Sequence, residues 1–191
     1  MEGLKIQLES IFKTLELEPK NIELLEAYID ILFKWNKKIN LISRKNETLV
    51  ENFILHSLMF FKVFKNNNYN IVDLGSGAGF PAIVLKIYNP SLEITMIDSN
   101  HKKTAFLNYV CSTLSIQTKI INNSFENIKT PLNKDIISVK GVNIDEYLIK
   151  IIKEEIKGRY LAYFTSPNIN LPLKTVKEKR HNYLSLKVYE L

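Results

Sequence analysis

The chain has 191 residues, 46% hydrophobic and 24% charged, with 6 glycines and 6 prolines, which supports a buried core in one domain and excludes a mainly disordered protein. A formal net charge of +6 suits a polyanionic partner, and equally a lysine-rich surface with no such partner. The single cysteine, Cys111, excludes an intrachain disulfide and fits a reducing compartment.

Residues 1–68 read as a helical amino-terminal extension. Over Asn21–Lys38, Ile22, Leu25, Ile29, Leu32 and Phe33 recur at helical spacing. A second helix is expected from about Glu47 to Lys65, with Leu49, Phe53, Leu58, Phe61 and Phe64 as its apolar members, and the Asn66-Asn67-Asn68 run ends it. From residue 69 the pattern changes to short apolar runs alternating with amphipathic stretches. Strands are expected near Ile71–Leu74, Glu93–Ile97, Thr118–Ile121, Asp135–Val139 and Tyr160–Thr165. Helices are expected near Pro81–Tyr88, His101–Leu114 and Ile144–Lys157, with a terminal strand within His181–Leu191. This is the α/β pattern of a mostly parallel sheet with helices on both faces, so residues 69–191 form the core on which the extension packs. Cys111 reads as a small core residue on a helix face. No run of about 18 apolar residues is present, and the amphipathic start Met1–Lys5 does not resemble a secretory signal, so a cytoplasmic protein is expected.

The sharpest local signal is Ile71-Val72-Asp73-Leu74-Gly75-Ser76-Gly77-Ala78-Gly79-Phe80-Pro81. Gly75, Gly77 and Gly79 directly follow a buried strand and precede a helix, so the backbone can approach a ligand closely and turn helix N–H groups toward it. A dinucleotide turn of the G-x-G-x-x-G type would need glycine where Phe80 stands. Asp73 would repel a phosphate but could hold the ammonium of an amino-acid end. Together these favour S-adenosylmethionine over a nicotinamide cofactor. Asp98 ends the next strand, where an acidic side chain can accept hydrogen bonds from both ribose hydroxyls, or alternatively cap the helix that follows. His56, His101 and His181 are dispersed without ligand spacing, so no metal is expected.

At these residues the chain resembles the bacterial small-subunit ribosomal RNA methyltransferase G family (RsmG, also called GidB). The resemblance rests on Trp35-Asn36-Lys37-Lys38-Ile39-Asn40-Leu41-Ile42-Ser43, the Asp73–Pro81 loop, Asp98-Ser99-Asn100-His101-Lys102-Lys103-Thr104-Ala105-Phe106-Leu107, and the Arg180-His181 pair. It implies a class I, Rossmann-like methyltransferase fold with S-adenosylmethionine as cofactor. It also implies methyl transfer to N7 of a guanine in 16S ribosomal RNA, as naked RNA or in the small subunit. By motif position it implies cofactor contacts at Gly75, Phe80, Phe125 and Glu126, and at Lys140, where the family typically has arginine. The Phe125-Glu126 pair could equally be an apolar anchor and helix start. The chain departs from the family pattern at Val139-Lys140-Gly141, at Phe53-Ile54-Leu55-His56-Ser57, and at Tyr163–Asn168, where the usual Lys-Gly is absent. No helical pattern separates the fifth strand from Leu171-Pro172-Leu173, so the carboxy-terminal part reads as shortened.

Guanine N7 carries a lone pair and no proton, so the chemistry needs alignment and water exclusion rather than a general base. This matches the lack of a catalytic dyad. Lys140 is a candidate for positioning the base or a phosphate, or else a solvated strand-end lysine. Candidate RNA-binding residues are Lys37, Lys38 and Arg44, in a stretch from Lys34 to Lys45 without an acidic residue, then Lys102, Lys103 and Arg180. Trp35 could stack on a base or pack within its helix. A monomer is expected. A methyltransferase for a small molecule or protein, and a non-catalytic RNA-binding relative, are the competing readings.

Overall fold

The computed structural model describes residues 2–43, 50–65, 68–128 and 132–191. Four helices come first: α1 (Glu2–Leu15), α2 (Ile22–Asn36), α3 (Val50–Leu58) and the single turn α4 (Phe60–Val63). Then β1 (Asn70–Leu74), α5 (Ala82–Tyr88), β2 (Glu93–Asp98), α6 (His101–Thr113) and β3 (Lys119–Asn122) alternate. A 3₁₀ turn at Phe125–Asn127 leads toward β4 (Lys134–Lys140), α7 (Glu146–Ile151), a widened π turn (Ile152–Ile156) and β5 (Gly158–Thr165). Two more strands, β6 (Thr175–His181) and β7 (Leu184–Glu190), close the chain. The seven strands lie in the order β3-β2-β1-β4-β5-β7-β6, with β7 antiparallel to both of its neighbours.

Period-two alternation of the strands builds two cores. Ile71, Ile94, Met96, Ile136, Ala162 and Phe164 point to one face, in a cluster continuous with Leu8, Phe12, Leu25, Leu32 and Leu58 of the amino-terminal helices. Val72, Leu74, Ile97, Ile137, Val139 and Leu161 point to the other, under Leu148, Ile151, Ile152 and Ile156. Leu171 and Leu173, from the segment between β5 and β6, help cover this second face where no helix is present among the described residues. The segment between β5 and β6, where no helical pattern is expected, is a loop that lies on this core.

The helix starts are chemically marked. The Asn100 side chain accepts hydrogen bonds from the backbone N–H groups of Lys102 and Lys103 and so caps α6; Asp145 accepts from Leu148 N–H and caps α7. Asp98 is thereby excluded as the α6 cap. Pro81 stands one residue before α5, at the cap position rather than in the first turn, and the Phe80–Pro81 peptide is cis. The helix expected over Ile144–Lys157 is shorter in its regular part and ends in the π turn. Its carbonyl at Ile156 receives N–H groups from Leu132 and Asn133, which satisfies an end that would otherwise be orphaned. Among the described residues, β6 is a strand that hydrophobic patterning does not predict. It is a charged, largely exposed edge without hydrophobic alternation, which is how edges resist further pairing.

Register aligns the carboxyl ends of the parallel strands. Leu74 is level with Ile97 and Val139, Asp98 with Asn122, and Lys140 with Phe164. Strand order reverses between β1 and β4, and ligands of open parallel sheets bind above this edge at such a switch point.

Candidate active site

The loop after β1 is held from below and from both sides. Gly75 and Ser76 N–H groups both donate to the Ile97 carbonyl, at 2.8 and 3.1 Å, which ties the turn to β2. Gly75 has φ +69°, and a Cβ there would come within 2.7 Å of the Val142 side chain. Gly79 has φ +94°, and its missing Cβ makes room for Ile83 at 2.5 Å. Both positions need glycine for backbone conformation and for space. From the helical extension, the buried Tyr28 hydroxyl donates to the Ala78 carbonyl at 2.6 Å. This contact joins α2 to the loop, and periodicity alone gave no sign of it, because Tyr28 reads as one more apolar member of its helix.

Asp98 holds the loop rather than the helix. Its Oδ2 accepts from Gly77 N–H and its Oδ1 from Asn100 N–H, both at 2.8 Å. Asn122 on β3 donates to the Asp98 carbonyl at 3.0 Å and fixes the backbone beneath it. An acidic side chain placed so, at the end of β2, can reach hydroxyls of a ribose lying over the loop.

Asp73 is the electrostatic centre. It is 1% exposed; Oδ1 accepts from the Ser138 hydroxyl at 2.6 Å, while Oδ2 is buried with no partner among the described residues. Burial raises its pKa to about 6, against the pull of the Ser138 and Ser76 hydroxyls and of Lys140, with Asp98 adding to the rise. A buried carboxylate oxygen without a donor is costly unless a cation completes it. The amino-acid ammonium of S-adenosylmethionine is such a cation, and the residues present fit that group.

Lys140, at the end of β4, is a positive charge that acts on Asp73. Its Nζ lies 4.6 Å from the Phe53 ring centroid and 5.3 Å from that of Phe80, and reaches the Phe53 carbonyl at 3.5 Å. Burial lowers its pKa to about 7, with Asp73 acting in the opposite sense. Lys140 is half-buried and packed against two aromatic rings, unlike a freely solvated strand-end lysine. Phe80 itself is buried, with ring centroids 5.5 Å from Tyr28 and 5.3 Å from Phe53, so an aromatic wall drawn from α2, α3 and the loop borders the site. His56 lies behind it. Its Nε2 donates to the Ser185 carbonyl at 2.9 Å, its ring meets Phe164 edge-on, and burial, aided by Lys140, lowers its pKa to about 3. His56 therefore ties α3 to β7 as a neutral ring.

The remaining expected residues are distributed as follows. Phe125 and Glu126 follow β3 above the same sheet edge. Phe125 packs against the second core as an anchor, and exposed Glu126 accepts from the Ser124 hydroxyl at 3.1 Å. Lys102 and Lys103 open α6 beside Asp98, and Lys37 and Lys38 follow α2. Arg44 lies outside the described residues. Arg180, on the outer strand β6, is engaged by Glu178 through two hydrogen bonds of 2.7 and 2.8 Å, so its charge is largely matched within the chain. Cys111 is buried, and burial raises its thiol pKa to about 11, which fits a core residue. Among the described residues, no group of three histidine, cysteine, aspartate or glutamate side chains could hold a metal ion, and no helix is long and apolar enough to cross a membrane.

Strand order, the glycine loop between β1 and α5, and paired acids at the ends of β1 and β2 define a class I S-adenosylmethionine-dependent methyltransferase. Comparison with known proteins narrows this class. The family model described as rRNA small subunit methyltransferase G (GidB) matches residues 21–187. The Ribosomal RNA small subunit methyltransferase G of Mycoplasma mobile is 32% identical over 189 residues, covering 93% of this chain and 82% of that protein. The protein of the same name from Helicobacter pylori is 36% identical over 148 residues, covering 73% of this chain and 80% of that protein. The chain belongs to the rRNA small subunit methyltransferase G family. In fold it is similar to a mutant of MtNAS solved in complex with S-adenosylmethionine, at a TM-score of 0.61 and 13% identity, over 96% of this chain and 83% of that one. A putative methyltransferase, yhhF from Escherichia coli, is similar at a TM-score of 0.56 and 15% identity, over 71% of this chain and 83% of that one.

Proposed function

We propose that this chain, acting as a cytoplasmic monomer, transfers the methyl group of S-adenosylmethionine to N7 of a guanine in 16S ribosomal RNA. The observation that carries the reading is the buried, unpartnered Oδ2 of Asp73 beside the Asp98-clamped glycine loop, in a member of this family. When bound, the cofactor supplies an electrophilic methyl on a sulfonium. Asp73 would hold the amino-acid ammonium, and Asp98 the ribose hydroxyls. Gly75, Gly77 and Gly79 would let the backbone lie close to the ligand. The wall of Tyr28, Phe53 and Phe80 would exclude water from the transfer path. Lys140 would orient the guanine through O6, or a neighbouring phosphate. Because N7 attacks through its own lone pair, no side chain has to remove a proton, and placement supplies the rate. The test is methyl incorporation from labelled cofactor into small ribosomal subunits and into naked 16S RNA, mapped by N7-specific strand cleavage. A single modified guanine is expected, and lost in Asp73→Ala. Incorporation into protein or small molecules only would overturn the reading.

A further inference from the structure

A concave site lies between the helical extension and α6. A cavity of about 620 Å³ is lined by Lys34, Trp35, Lys37, Lys38, Ile39 and Tyr109. It sits where the end of α2 meets the middle of α6. Trp35 and Tyr109 form one aromatic wall, with ring centroids 5.2 Å apart, and Phe106 braces Trp35 from the core at 5.7 Å. Tyr109 is 48% exposed, so one side of its ring packs on Trp35 and the other is open to a ligand. The turn after α2 is fixed in shape, because the buried Asn36 side chain accepts from the N–H groups of Leu41 and Ile42. Among the described residues, no acidic side chain lines the cavity and none of the three lysines forms an ion pair.

We infer that this cavity binds an unpaired nucleotide of the RNA substrate, its base stacked on the Trp35–Tyr109 wall and its phosphates on Lys34, Lys37 and Lys38. Bases stack on aromatic side chains without sequence preference, and lysines track the backbone; these are the two components of single-strand binding. A merely solvated basic face would not need a braced aromatic wall. The position also connects to the methyl-transfer site. Lys102 precedes Tyr109 by seven residues and so lies on the same face of α6, about 10 Å nearer its start, which abuts Asp98. Tyr28 precedes Trp35 by the same interval on α2 and touches the glycine loop. A strand held at the cavity would run along Lys102 toward the cofactor cleft. The cavity thus provides a grip on RNA flanking the target base, and the inference rests on the RNA-methyltransferase reading for the identity of its ligand.

Trp35 is the only tryptophan of the chain, so its fluorescence reports directly on the cavity. Titration with a single-stranded RNA oligonucleotide should quench it saturably. A duplex of equal length, inorganic polyphosphate and vesicles of anionic phospholipid should do so weakly. Tyr109→Ala, at an exposed position, should weaken single-strand binding about tenfold and raise KM for RNA while leaving kcat at saturation unchanged. Tyr109→Phe should restore both, because stacking needs the ring and not the hydroxyl. Equal quenching by polyphosphate or vesicles would reduce the site to a patch for any polyanion and overturn the proposal. So would an unchanged KM in Tyr109→Ala. Methylation of guanine N7 by a chain whose Trp35 ignores RNA would sink this inference alone. Trp35 quenching by RNA without methyl transfer would sink the proposed function and leave the cavity assignment standing.

Discussion

At the scale of residues, Asp73 and Lys140 form a pair whose charges are set against their surroundings. Burial makes Asp73 a weaker acid, with a pKa of about 6, and Lys140 a weaker base, with a pKa of about 7. Asp73 must be ionised to hold an ammonium, and that state fills in as pH rises through about 6. Lys140 must be protonated to hold guanine O6 or a phosphate, and that state empties as pH rises through about 7. The expected kcat/KM profile is therefore bell-shaped and narrow, with the two limbs belonging to the pair. Asp73→Asn should remove the acid limb and weaken S-adenosylhomocysteine binding at least tenfold, measured by calorimetry between about pH 5 and 8, since it deletes a charge-assisted contact. Lys140→Arg should extend activity well into the alkaline range, because a guanidinium stays charged there. An alkaline limb unmoved by Lys140→Arg would place that titration elsewhere.

At the scale of elements, the segment 166–174 after β5 shows how a loop without a helix is held on the core. Lys187 on β7 is 2% exposed, and its Nζ donates to the carbonyls of Pro167 and Ile169 and to Asn170 Oδ1 at 2.7–2.8 Å. Glu178 lies 3.8 Å away and offsets the buried charge. One lysine thus gathers a loop that leaves the sheet at the cofactor edge and delivers Leu171 and Leu173 to the second core. Lys187→Met should cost about 2 kcal/mol in urea unfolding and accelerate amide exchange within 166–174, leaving exchange in β1 and β4 unchanged. The parallel strands and the helices around them were legible in the sequence because the strands are short apolar runs bounded by turns, with longer helix-length stretches between them. The same holds for the glycine loop and Asp98, which are local signals. Tyr28, Ser138 and Lys187 were not legible. Their roles come from contacts 50, 65 and 17–20 residues distant along the chain, which no local pattern encodes. Strand β6 escaped because an exposed edge has no buried side to alternate with.

At the scale of the whole molecule, stability and the site draw on the same buried groups. The amino-terminal helices share one hydrophobic cluster with the sheet, and His56 ties α3 to β7 across it. His56 has a pKa of about 3 in the fold against an ordinary 6.5, so between these values the unfolded chain binds the extra proton. Its contribution is complete above pH 6.5 and is lost as pH falls toward 3. Asp73 acts in the opposite direction. Its pKa is about 6 in the fold against an ordinary 3.8, so the fold binds the extra proton, and its contribution grows as pH falls from 6 toward 3.8. Between pH 6.5 and about 4.5 each effect is on the order of 2 kcal/mol, and the two oppose. Removing one should therefore unmask the other. Relative to the parent chain, Asp73→Asn should lose stability on acidification over this range, because the His56 slope is left alone. His56→Gln, which keeps a donor for the Ser185 carbonyl, should gain relative stability over the same range. Urea midpoints for the three proteins at half-unit steps of pH provide the measurement. Two variants moving in the same direction would refute the opposition. Curves that diverge would establish that the carboxylate kept for the cofactor is also the group that steadies the fold against acid.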